Sequence, residues 1–316
     1  MEQIVDMIDA PAPRPSPRRQ HPGRRHRRTA ASAFVAAAAA LGALPVAAQS
    51  LGVRVEAGYT YDDNVTRGRK GTDNVLSDQS LGLNVAKTFV MPVSTHTRLM
   101  LTLQGGGEKF VDFEGLDRAS LGGNLGFQYR PSGDFLAPTF TVFGRWFADR
   151  FDSDLRDGQR SAVGVTIRQP VTDRIELSAT GQYNRRDGRS AVFDGSDWSG
   201  RLNVDYMLPA RHTLYVGAEI RRGDAVSVGR SSPALSGIAR AWVLDDVFTD
   251  AARYAYRIRS NTTIATIGYN LPFANRHSLD LSWRHIRSEP TEQSGAYGGD
   301  IRYIVNQVSV AYLVRF

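Results

Sequence analysis

The pair in this sequence that comes nearest to a hydrolytic centre is Ser282 and His285. A nucleophilic serine needs an adjacent base, and the base needs an orienting third group. Both residues sit in a run of alternating side chains, Leu279, Leu281, Trp283. Three positions apart on a strand, they point to opposite faces and form no dyad without a bulge. His96, His212 and His277 fall beside proline-containing turns. Metal ligation has two candidate settings: Asp62, Asp63 and Asn64, and Asp245, Asp246 and Asp250. Hard cations such as calcium take such oxygen ligands, but neither group has EF-hand spacing, and a hydrated polar rim accounts for both. No catalytic residue, metal site or cofactor is therefore expected, and the chain reads as a non-enzyme. Arginine is the chemically active type that recurs.

What each arginine does depends on the element beneath it. Beyond residue 50, apolar side chains occupy alternate positions. Val53, Val55, Ala57, Tyr59 and Tyr61 share one strand face, and Arg54, Glu56, Gly58, Thr60 and Asp62 share the other. The same rule gives Leu81, Leu83, Val85; Leu99, Leu101, Leu103; Leu121, Leu125, Phe127, Tyr129; and Phe140, Val142, Trp146. It continues through Val163, Val165, Ile167; Ile175, Leu177, Ala179, Tyr183; and Trp198, Leu202, Val204, Tyr206. Leu214, Val216, Ala218, Ile220; Ala265, Ile267, Tyr269, Leu271; and Leu279, Leu281, Trp283 follow, and Val308 to Phe316 makes the twelfth run.

The connections alternate as well. Short ones carry Pro92-Val93, Pro131-Ser132-Gly133, Pro170-Val171-Thr172, Pro209-Ala210 and Pro272-Phe273-Ala274. The others are more polar and mostly longer: 64–74, 112–116, 152–158, 187–196, 223–251 and 290–299. A regular internal period signals repeated units, here β-hairpins. Short turns on one side and longer loops on the other are the pattern of a transmembrane barrel. An open sheet edge in lipid would leave backbone groups unpaired, so 53–61 is expected to pair with 305–316. One segment interrupts the pattern: Ser231-Ser232-Pro233 suits a helix start. A partly helical loop over or into the barrel mouth is expected at 234–252; the alternative is an added external hairpin.

The stretch Val305 to Phe316 reads V-N-Q-V-S-V-A-Y-L-V-R-F, with Val308, Val310, Tyr312, Val314 and Phe316 on one face. It resembles the C-terminal signature of Gram-negative outer-membrane β-barrels. The resemblance implies an all-β, closed antiparallel barrel of twelve strands in the outer membrane, in contact with its lipid and lipopolysaccharide. It also implies that Tyr312, Val314 and Phe316 act as an assembly signal for the barrel-insertion machinery. Tyr59-Thr60-Tyr61-Asp62-Asp63-Asn64-Val65 resembles, over these few residues, barrels associated with exopolysaccharide export.

The chain has 316 residues and no cysteine, which removes disulfides and thiolate metal sites. Basic, proline-rich 14–28 leads into an apolar run, Ala31 to Leu44, then Pro45-Val46-Ala47-Ala48. That is the layout of a secretory signal, so 1–48 is expected to be removed after Ala48, leaving a barrel over 49–316. The basic region is long for such a signal, which leaves the true start open. Residues 1–48 hold seven Arg and three acids, so the formal charge of +7 falls to about +3 without them. Basic charge of that size gives no case for a nucleic-acid partner.

On the face opposite the apolar one lie Arg54, Arg98, Arg118, Arg130, Arg145, Arg160, Arg168, Arg201, Arg221, Arg284 and Arg315. Glu56, Glu108, Asp149, Glu176, Asp205, Glu219 and Asp280 share it. These side chains are expected to line a lumen. Twelve strands fall between barrels filled by their own side chains and wide channels. Arginine outnumbers acid, so an open lumen favours anions. Two functional readings follow: a passive channel for small solutes, anions among them, or a non-conducting barrel acting as an anchor, an adhesin or an accessory to envelope polymer export. The signal, the terminal strand and the turn asymmetry argue against a soluble sandwich.

Overall fold

The computed structural model describes residues 52–249, 252–292 and 301–316. The expected signal segment and Asp250 lie outside them. The strands are β1 (Val53–Asp62), β2 (Asp78–Pro92), β3 (Thr97–Phe110), β4 (Arg118–Tyr129), β5 (Thr139–Phe151), β6 (Gly158–Pro170) and β7 (Ile175–Gly188). They continue with β8 (Gly195–Met207), β9 (Thr213–Arg230), the short β10 (Ala241–Leu244), β11 (Arg253–Ala274), β12 (His277–Pro290) and β13 (Tyr303–Arg315). Each wall strand pairs antiparallel with its neighbours, β9 with β11, and β13 closes onto β1 from Arg54↔Arg315 to Asp62↔Gln307. The result is a closed twelve-stranded barrel, with β10 as an extra strand on β11. Closure satisfies the backbone groups that an edge would expose to lipid. No helix among the described residues is long and apolar enough to cross a membrane.

The alternation sets the two faces as the sequence implies. Leu101, Val142, Val165, Leu202, Ile267 and Val310 lie on the outward face, in register with the outward residues of adjoining strands. Inside, hydroxyl pairs such as Thr60–Ser309 and Thr166–Thr180 bridge neighbouring strands at 2.9 Å. Outward aromatics gather toward both ends of the strands. Tyr129 stacks with Phe140, and Phe273 with Tyr312, toward the turns; Tyr183 meets Trp198 toward the loops. Such girdles mark the two lipid–water interfaces.

The connections differ in length less than the sequence suggests. Tight turns join β2–β3, β6–β7, β8–β9 and β11–β12, but the β4–β5 connection spans 130–138, where Arg130 donates to the carbonyls of Asp134 and Phe135. On the other side, loops 111–117, 152–157 and 189–194 are of similar size. The segment after β9 is mainly strand rather than helix. β9 and β11 stay paired from Asp224↔Arg259 to Arg230↔Arg253, beyond the last β8–β9 pair, Asp197↔Gly223. Helix is confined to one turn, α1 (Pro233–Ser236), which Ser232 caps by accepting from the Leu235 amide. Both weighed forms are thus present: an extended ribbon and a short helical turn. The ribbon is held between two apolar clusters, Leu235 and Ile238 against Tyr256 and Ile258 on one side, and the loop core around Phe248 on the other.

Candidate functional site

Inside the barrel lies a chamber of about 850 Å³. Strand β5 supplies one wall, with Phe143, Arg145, Phe147 and Asp149 at successive inward positions. The Phe147 ring lies flat because its neighbour on β4 is Gly122, where a Cβ would come within 2.6 Å of the ring. The tip of Phe143 rests likewise on Gly164, where a Cβ would meet it at 2.7 Å. Glycine on these neighbouring strands lets the rings lie against the wall and leaves space at the centre. Arg160 sits over the Phe147 ring at 4.9 Å and Arg145 over Phe143 at 6.0 Å, cation–π arrangements that hold the guanidiniums to the wall.

Eight arginines line this chamber against four aspartates, and Arg185, which the alternation of β7 turns outward, only borders it. Counting also Asp62, Glu108 and Glu219, which pair with lining arginines, the cations remain ahead. Arg160 meets Asp149 at 2.8 Å, Arg118 meets Glu108 at 3.0 Å, and Arg201 and Arg221 share Glu219. Three others have no carboxylate within 4.0 Å among the described residues: Arg145, Arg186 and Arg284. Arg145 donates to the neutral amides of Gln182 (3.1 Å) and Asn184 (3.2 Å), and Arg284 to Gln307 (3.3 Å). Arg186 lies over the Phe151 ring at 5.6 Å. Guanidiniums satisfied by amides and rings keep their full charge facing the chamber, where walls of low dielectric strengthen its field.

The roof is made of loops. Val65 and Leu76 from the first loop, Phe113 and Leu116 from the second, Leu155 from the third, Val192 and Phe193 from the fourth and Phe248 from the fifth form one apolar cluster. Loops that start from strands around much of the wall can meet in one core only across the mouth. Arg156 ties them together. Its guanidinium is 2.6 Å from Asp245 and 3.0 Å from Asp246, and lies over Phe193 at 4.5 Å. Ser153 donates to Asp246 at 2.7 Å, and Asp245 also accepts from the Val247 amide at 2.9 Å.

No family model matches the chain, and no curated protein matches it. An outer-membrane channel from Pseudomonas putida F1 is similar in structure at TM-score 0.53 and 12% identity, over 87% of this chain and 97% of that one. The chain has the outer-membrane β-barrel fold. The KdgM porin in complex with disordered oligogalacturonate is similar at TM-score 0.43 and 10% identity, over 83% of this chain and 99% of that one. The NanC porin reaches TM-score 0.42 at 9% identity, over 84% and 100% of the respective chains.

Of the positions expected to face this barrel's lumen, Arg118, Arg145, Arg160, Arg201, Arg221, Arg284 and Asp149 line the chamber, and Glu219 joins Arg201 to Arg221. Arg54, Arg98, Arg130, Arg168, Asp205 and Asp280 are not brought to it. Arg168 pairs with Glu176 at 3.0 Å, Asp205 stands opposite Glu176, and Arg54 opposite Arg315. Arg98 bonds Gln128, and Asp280 accepts from Tyr215 at 2.8 Å. Arg186 follows from the phase of β7, whose inward members run from Glu176 through Gln182 to Arg186. Arg67, in the first loop, carries no such signal.

The other candidate chemistry takes structural forms. Ser282 faces inward and His285 outward, beside Trp283. Asp63 accepts from the Asn306 amide at 2.7 Å and its side chain at 2.8 Å, while Asp62 accepts from Gln307 and Arg67. In the final strand, Tyr312 bonds His277 at 2.7 Å, Val314 stands opposite Val55, and the Phe316 amide donates to Val53 at 2.8 Å.

Proposed function

We propose that this barrel is a passive outer-membrane channel for small anionic solutes and not an enzyme, reached by secretion through a signal in 1–48. The observation that carries the reading is the set of inward guanidiniums without carboxylate partners, Arg145, Arg186 and Arg284. Arginine stays protonated across ordinary pH, so the field they set up is permanent. Rings of arginine are a means by which pores prefer anions. Paired arginines add bulk and polarity to the wall but little net charge.

The test is a reversal potential in planar bilayers under a potassium chloride gradient. The native barrel is expected to pass chloride in preference to potassium. Replacing Arg145, Arg186 and Arg284 together by Gln is expected to move the permeability ratio toward unity. Replacing Arg168 by Gln, remote from the chamber and paired with Glu176, is expected to change it far less. Cation selectivity in the native barrel contradicts the reading.

The loop cluster across the mouth favours a second reading, a barrel that does not conduct and serves as an anchor, an adhesin or an accessory to envelope polymer export. A native barrel silent in bilayers supports it.

A further inference from the structure

One patch of the lumen wall is apolar. Ile264, Ile286 and Val305 stand opposite one another on the adjacent strands β11, β12 and β13, at inward positions. Tyr303 follows Val305 at the next inward position toward the loops. The four form one apolar cluster, and Ile264, Ile286 and Tyr303 line the chamber of about 850 Å³. Ile264 is 5% exposed and Ile286 9%, and what remains open of them faces the chamber. Phe193 and Val226 border it from the loop cluster above. Half-way round the barrel, on β5, the Phe147 ring lies against the opposite wall.

Arg284 is the inward residue next to Ile286 on β12, about 7 Å nearer the turns. It donates to the neutral amide of Gln307 at 3.3 Å and has no carboxylate within 4.0 Å among the described residues. The carboxylates that register brings nearest are engaged by other side chains. Glu219, in the cross-strand row of Ile264 and Ile286, is shared by Arg201 and Arg221. Asp62, in the row of Arg284 and Gln307, pairs with Arg67 and accepts from Gln307 at 2.8 Å. Asp280, two inward positions toward the turns on β12, accepts from Tyr215 at 2.8 Å and Asn270 at 3.3 Å.

A guanidinium held by a neutral amide, beside an apolar wall, suits a ligand with two unlike ends. Its charge receives a carboxylate, and the wall receives whatever apolar group the carboxylate carries. The chamber has the size of a small-molecule site, with much apolar lining and a few polar groups to fix orientation. Hydroxyl groups placed against Ile264 and Ile286 find no partner there, since the flanking Thr262 and Ser288 bond each other at 2.7 Å; polar groups left unpaired in this way cost affinity.

We propose that the solute of this chamber is a monocarboxylate bearing an aromatic or branched aliphatic group. Its carboxylate lies on Arg284 and its apolar part against Ile286, Ile264 and Tyr303. Inorganic anions and sugar acids use the charge but leave the apolar wall without a partner. This assignment rests on the chamber being the path of anions.

The test titrates the full chain, folded in detergent, with benzoate and separately with threonate, a polyhydroxy monocarboxylate with as many non-hydrogen atoms, by saturation-transfer NMR. Benzoate is expected to half-saturate the barrel at a concentration about tenfold lower than threonate. That comparison needs no variant. Arg284→Gln is expected to weaken both anions about tenfold, because they share the carboxylate. Ile264→Thr with Ile286→Thr keeps β-branched residues in the strands, and heat-modifiable migration checks its fold. It is expected to bring the two half-saturation concentrations within about twofold of each other. Binding is read without a salt gradient, so a barrel that fails to select chloride in bilayers contradicts the anion path, while the preference for benzoate is judged by itself. Equal half-saturation by the two anions in the native barrel, binding of neither, no loss in Arg284→Gln, or a preference that survives in the folded isoleucine variant overturns the proposal.

Discussion

Val165→Arg is expected to impair folding of the barrel into lipid far more than Thr166→Arg, the next residue on the same strand. Val165 lies near the middle of β6, paired with Val142 and Gly181, and is 45% exposed on the outer face. In a bilayer that exposure is to hydrocarbon. An arginine there costs about 2–4 kcal/mol at the midplane, or about 30- to 1,000-fold in the folding equilibrium. Thr166 faces the lumen and bonds Thr180 at 2.9 Å. Losing that bond costs about 0.5–1.5 kcal/mol, and the new guanidinium reaches the polar interior. Heat-modifiable gel migration after refolding into vesicles reads the difference. Equal tolerance at the two positions contradicts the phase of the whole sheet, because a slip of one residue exchanges every inward side chain for an outward one.

That phase was legible in the chain because lipid imposes it at every second position. Val142, Val165 and Leu202 follow no rule but alternation, and alternation suffices to place them. Closure was legible too, since a strand such as Val53–Asp62 cannot leave an edge in hydrocarbon. The charge pattern of the lumen was only half legible. Phase brings Arg145, Arg168 and Arg201 inside, but neutralisation depends on cross-strand register. Arg201 falls opposite Glu219, and Arg168 reaches Glu176, while Arg145 falls opposite Ala162 and finds amides and the Phe143 ring. The loops were least legible. Arg156 and Asp245 are 89 residues apart, and neither carries a local signal that they meet. The segment after β9 was read by its Ser-Pro start, yet α1 ends after one turn because Tyr254, Tyr256 and Ile258 prolong β11 and recruit β9 as partner. Tertiary pairing here outweighs a local helix-start signal.

Arg156→Ala is expected to open the cap and leave the barrel wall intact. The Arg156 side chain is 6% exposed and that of Asp245 is 0% exposed, so their 2.6 Å pair is removed from water. Taking one partner from such a pair costs about 3–5 kcal/mol, since the remaining charge is buried alone. Asp245 is then driven toward solvent, and it carries the amides of Val247 and Phe248 with it. Phe248 is the most buried aromatic of the loop cluster and packs edge-on against Phe113 at 4.8 Å. Its displacement separates the fifth loop from the second, third and fourth. None of these residues belongs to a wall strand, so heat-modifiable migration is expected to stay normal. Unitary conductance is expected to rise, and protease cleavage in 231–249 to become faster. Arg156→Lys keeps the charge but loses the two-pronged grip on Asp245 and Asp246, and is expected to lie between. Adding Asp245→Asn to Arg156→Ala removes the stranded charge; it is expected to slow the proteolysis of 231–249 relative to Arg156→Ala alone. Conductance and proteolysis both unchanged in Arg156→Ala contradict the role given to this ion pair. A native barrel that is silent and an Arg156→Ala barrel that conducts would together assign the silence to the cap, with the arginine-lined chamber beneath it as the path.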